Sequence, residues 1–140
     1  MKKSRILLIV AAAIFLGLLF QEKLIQTYVC VFHENLEAYA VKLLDTSDAK
    51  RTRYGLWDVK SYPKDQMVEF MTGGFGLAPS STYKGFYYSE DNIHKVFSAA
   101  DDSIALMETD GDRATWTDGT DNHGKSIRIT ENWFWFEVSF

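Results

Sequence analysis

Apolar positions fall into three regimes along this chain, and each predicts a different element. Lys2, Lys3 and Arg5 precede an unbroken apolar run from Ile6 to Phe20. Beyond Phe20 the apolar residues thin to Ile25, Tyr28, Val29, Phe32, Leu36, Tyr39, Ala40 and Leu43. These steps of three and four predict an amphipathic helix, with Gln26, His33, Glu34, Glu37 and Lys42 on its opposite face. Neither proline nor glycine occurs between Leu18 and Gly55, so one helix is expected to continue out of the apolar run to about Asp45. Asp45–Arg53 reads as a polar connector.

From Tyr54 the pattern changes to short segments rich in aromatic and β-branched residues with turn clusters between them, which predicts strands. Candidates are Tyr54–Ser61, Gln66–Thr72, Thr82–Ser89, Ser103–Thr109, Asp112–Thr117, Ser126–Thr130 and Trp133–Phe140; His94–Ala99 fits either a strand or a helical turn. An Asp110-Gly111 turn would set Glu108 opposite Arg113 and put Ala105, Met107, Ala114 and Trp116 on one face. A Glu131-Asn132 turn would pair Ile129 with Phe134 and Ile127 with Phe136, and would lay Arg128 over Trp135. That second turn lacks a glycine, and a one-residue slip would exchange the faces.

The expected fold class is therefore α+β: a long N-terminal helix packed on a curved antiparallel sheet of about five to seven strands. It divides into a membrane segment (1–23), an amphipathic helix with its connector (24–53) and a β-rich domain (54–140). The run after the basic N-terminus is short for a bilayer, since about 20 residues are needed to cross a core of about 30 Å. It nevertheless reads as an uncleaved signal anchor, because the small-residue pair of a cleavage site is absent between Gln21 and Cys30. Ala11 and Ala13 have suitable types but sit inside the run. The three leading cations predict a single-pass protein of the cytoplasmic membrane, with the N-terminus inside and the C-terminal domain outside. The alternative is secretion after signal-peptide cleavage.

Charge narrows the partners. From Gln21 onward twelve basic residues face nineteen acidic ones, a net charge of −7. No basic stripe is present to displace counterions, which argues against nucleic acid. Cys30 is the only cysteine, so no intrachain disulfide can form.

Motifs for chemistry are sparse. Gly73-Gly74-Phe75-Gly76 matches neither a phosphate loop nor a dinucleotide fingerprint, and reads as a mobile loop through Ser81 with Phe75 and Leu77 tucked down. Asp110, Asp112, Asp118, Asp121 and Asn122 lack the spacing of a calcium loop. His33, His94 and His123 share no zinc-ligand spacing. No catalytic residue, cofactor or metal site is assigned. The stronger signal is aromatic excess: four Trp, seven Tyr and ten Phe. Trp133 and Trp135 alternate with Phe134 and Phe136, and Tyr87 adjoins Tyr88, so one set is expected to face away from the core. Arg128, Trp133, Trp135, Tyr87 and Tyr88 are the expected recognition surface, by the enrichment of such residues at interfaces. The function expected is a membrane-anchored, non-enzymatic binding module for a protein or an envelope carbohydrate. One alternative is a structural accessory subunit whose helix stripe packs on a larger membrane assembly; another is a small secreted hydrolase.

Overall fold

The structure is a computed structural model that describes residues 2–77, 80–96 and 106–140, with the backbone alone described at 2–5, 11, 13–16, 18–19, 75, 77, 80 and 106. A single helix, α1 (Lys2–Leu44), runs through the apolar segment and the amphipathic extension without a break. It stops short of Thr46, whose hydroxyl donates to the Leu43 carbonyl at 2.7 Å and so takes one of the helix's last carbonyls. Among the described residues no helix is long and apolar enough to cross a membrane. Within the apolar run, residues 11, 13–16 and 18–19 are described as backbone alone.

Eight strands form one antiparallel sheet: β1 (Arg51–Tyr54), β2 (Trp57–Tyr62), β3 (Met67–Leu77), β4 (Ser80–Ser89), β5 (Leu106–Asp110), β6 (Arg113–Thr117), β7 (His123–Thr130) and β8 (Trp133–Ser139). Their spatial order is β1-β2-β3-β4-β8-β7-β6-β5. The sheet thus exceeds the expected five to seven strands. The extra strand, β1, lies at the end of the segment read as a polar connector. Its alternation Arg51-Thr52-Arg53-Tyr54 suits a short edge strand whose arginines face solvent.

The glycine-rich segment is the second departure. It is not a loop but the outer half of β3, paired residue by residue with β4 from Gly73↔Lys84 to Leu77↔Ser80. A side chain is excluded at Gly74 because the Tyr83 ring fills its place across the ladder: a Cβ there would lie 2.7 Å from Tyr83 Cδ1. The side chains of Phe75 and Leu77 lie outside the described residues, as do Ala78, Pro79, the second half of the His94–Ala99 segment and the first residues of the Ser103–Thr109 strand.

The two hairpins differ from expectation in an informative way. The β5–β6 turn is Gly111-Asp112, with only Gly111 at positive φ, so Asp110 faces Arg113 and Met107 faces Trp116. Both strands move one position together, which preserves the shared face of Met107, Ala114 and Trp116; Ala105 lies outside the described residues. In the β7–β8 hairpin a bulge between Arg128 and Thr130 shifts only one strand. Ile127 therefore meets Trp135, and Arg128 meets Phe134.

Packing follows from the two faces. On one face Ile25, Val29, Leu36 and Ala40 of α1 close over Val59, Val68, Phe70, Phe86, Trp133 and Trp135. Phe70 and Phe86 stack at 4.7 Å, and Trp57 meets Phe86 edge-on at 5.0 Å. On the other face Met67, Tyr87, Trp116, Phe134, Phe136 and Val138 form a second core, with Tyr62, Met71, Val96 and Phe140 at its margin.

Candidate functional site

The aromatic patch expected from the sequence is not a surface. Trp133 is 0% exposed and Trp135 1%, and Tyr87 and Tyr88 are buried with them. The cause is that both faces of the sheet carry a core, so alternation in β8 sends each ring into one core or the other. Trp133 and Trp135 lie under α1, and Tyr87 stacks on Phe134 at 5.0 Å on the opposite face. Each indole N–H is buried without an acceptor among the described residues, so apolar packing holds both tryptophans. The Tyr88 hydroxyl reaches Glu37 at 3.4 Å, and burial, with Glu37 and Glu90 nearby, pushes it up to about 12.

Arg128 is half-buried and does not lie over Trp135. The bulge places its guanidinium 4.6 Å from the Phe134 ring centroid, while Lys125 takes the position over Trp135 at 5.4 Å. Arg128 also donates to the Asn92 side chain and, at 3.1 Å, to the Asn92 carbonyl. It ties the 89–95 turn to the β7–β8 hairpin, where Asn132 N–H donates to Asn92 Oδ1 at 2.9 Å. Arg128 is thus a structural tie between two turns.

What the sheet does offer is a groove of about 1260 Å³ on the face away from α1, over β2, β3 and the end of β8. Its lining combines the apolar Met67, Met71 and Val138 with Arg51, Lys60, Tyr62, Glu69, His94 and Lys95. Two titratable groups are buried here. Glu69 is 7% exposed and accepts a hydrogen bond from the Tyr62 hydroxyl at 3.0 Å. Burial raises the Glu69 carboxyl above its ordinary value, against the opposing pull of Tyr62, Lys60 and Arg51. Burial also raises the Tyr62 hydroxyl, and the adjacent Glu69 adds to the effect.

His94 is 8% exposed and packs edge-on against Phe134 at 4.7 Å. Its Nδ1 lies 2.6 Å from Ser126 Oγ, and its Nε2 is buried with no partner among the described residues. Burial, reinforced by Arg128, lowers its pKa, so the ring is neutral near pH 7. Neighbouring polar groups are already engaged: Lys95 N–H donates to the Tyr87 hydroxyl at 3.0 Å, and Asp91 accepts from Ser89 at 2.6 Å while pairing with Lys95.

Sequence reading missed Glu69 and His94 because neither sits in a motif. The available signal was a lone acid, Glu69, between Val68 and Phe70 in a strand with core on both faces. The loop after β6 turns inward on itself: the Asp118 carboxylate accepts from Thr120 and Asn122. Among the described residues no group of three or more His, Cys, Asp or Glu side chains could hold a metal ion. Compared with known protein families, curated proteins and solved structures, the chain matches none.

Proposed function

We propose that this chain is a non-enzymatic binding module, held at the cytoplasmic membrane by the run Ile6–Phe20 with its sheet outside, and that its ligand site is the groove over β2 and β3. The observation that carries this reading is a groove in which two buried titratable side chains, Glu69 and His94, share the lining with the apolar Met67, Met71 and Val138. Glu69 and Asp91 already hold hydrogen bonds from Tyr62 and Ser89, which favours recognition over acid–base work. Membrane attachment is supported by the exposure of Ile6–Val10 and Phe20, since burial against the sheet begins only at Ile25. Of the stripe that the accessory-subunit alternative needs, Ile25 and Leu36 are closed by the chain's own sheet, while Phe32 stays 43% exposed.

The test is a pull-down of the full chain from membranes solubilised in mild detergent, beside a Met71→Trp variant that narrows the groove. A protein or envelope carbohydrate that comes down with the parent and is lost with the variant supports the proposal. Recovery of the chain alone, or of a partner indifferent to Met71→Trp, overturns it.

A further inference from the structure

Apart from Tyr83, which lines the groove, the outer halves of β3 and β4 serve neither core nor groove, yet they share a property with the N-terminal run. No charged residue occurs from Phe70 to Tyr83, the longest such stretch after Phe20. Position within the fold gives this meaning. Gln21 lies over Gly73, where a Cβ would approach its Nε2 to 3.7 Å. Farther along, Glu37 meets Tyr88, which is paired with Val68. Moving up β3 from Val68 to Gly73 therefore retraces α1 from Glu37 back to Gln21. Beyond Gly73 the hairpin continues toward the N-terminus of α1. The four residues to Leu77 advance about 13 Å, the rise of about nine helical residues, which brings the arm alongside the apolar run.

Two further features lie at this end of the sheet. Lys84, opposite Gly73, forms a row with Glu137 and Lys125 through ion pairs of 2.6 and 2.9 Å, near the level of Lys23 on the helix. Leu56, in the β1–β2 turn at the same end, is 93% exposed. Lysines at one level, with uncharged and apolar groups beyond them, match the change from headgroups to acyl chains at a bilayer surface.

We propose that the β3–β4 hairpin arm is a second membrane contact, resting in the interface of the same bilayer that holds the apolar run. This rests on the membrane-anchored reading above. Two contacts set apart would fix the tilt of the sheet over the membrane, where one helix alone leaves it free to swing.

The test uses the full chain with Cys30→Ser and single cysteines at Gly76 (Gly76→Cys), Ala12 (Ala12→Cys) or Glu131 (Glu131→Cys), each carrying an environment-sensitive NBD label, in phosphatidylcholine vesicles. Ser81→Cys provides a second arm position if Gly76→Cys fails to fold. The expected result is blue-shifted emission, quenched about twofold or more by doxyl-labelled lipid, at 12 and at the arm, with water-like emission at 131. Lipid quenching at 12 with water-like emission at the arm overturns this inference and leaves the anchor standing. Water-like emission at 12 overturns the anchor and the arm contact with it.

Discussion

Glu69 and His94 pull the pH dependence of stability in opposite directions. The folded Glu69 carboxyl titrates above its unfolded value of about 4.3, so its contribution is fully present below that pH and is lost as pH rises through the folded value. The folded His94 ring titrates below its unfolded value of about 6.5, so its contribution is present above that pH and is lost as pH falls through it. Glu69→Gln keeps an acceptor for Tyr62 and removes the ionisation. Urea unfolding from pH 4 to 8 is expected to show the variant gaining steadily on the parent as pH rises. A constant difference across that range would deny that Glu69 is buried as described. Neither residue stood out in the sequence, because a buried acid and a solvated one look alike there. Only the second core, built on the face away from α1, determines which it is.

At the scale of elements, most of the architecture was legible. The 3.6-residue spacing from Ile25 to Leu43 placed the helix end within a residue or two, and the aromatic segments placed seven of the eight strands. What failed was register. The β5–β6 shift was harmless because both strands moved together, whereas the one-residue bulge beside Ile129 redirected Arg128 from Trp135 to Phe134. A bulge is a local backbone choice with no residue signature in Arg128-Ile129-Thr130, and the site expected at that hairpin failed partly through it. Glycine positions are the other half of sheet geometry. Gly124 lies opposite Trp116, whose indole Nε1 would sit 2.3 Å from an added Cβ. Gly124→Ala is expected to displace Trp116 from the second core and cost about 1–3 kcal/mol in chemical unfolding. A neutral effect would mean that the indole moves freely and that this core is loosely packed.

For the whole molecule, the surroundings of α1 change near Gln21. C-terminal to that point the helix supplies one layer of a core and is covered by its own sheet. N-terminal to it the described apolar side chains are bare, and fifteen apolar residues rise only about 22 Å, short of a hydrocarbon core of about 30 Å. On the proposed membrane reading, a short anchor continuous with the helix would draw the sheet close to the bilayer, where the uncharged hairpin arm and the lysine row would meet it. The groove, on the far side of the sheet from α1, would then stay open to the proposed partner.

The central claim is that this sheet is carried on a membrane-embedded helix with its distal turns outside the cell. The direct measurement is labelling of Glu131→Cys, in a Cys30→Ser background, with a membrane-impermeant maleimide on intact cells, followed by carbonate extraction of the membranes. The expected result is a full-length chain that remains in the carbonate-washed membranes and is labelled without permeabilisation. Release into the soluble fraction, or labelling only after the cells are opened, would contradict it.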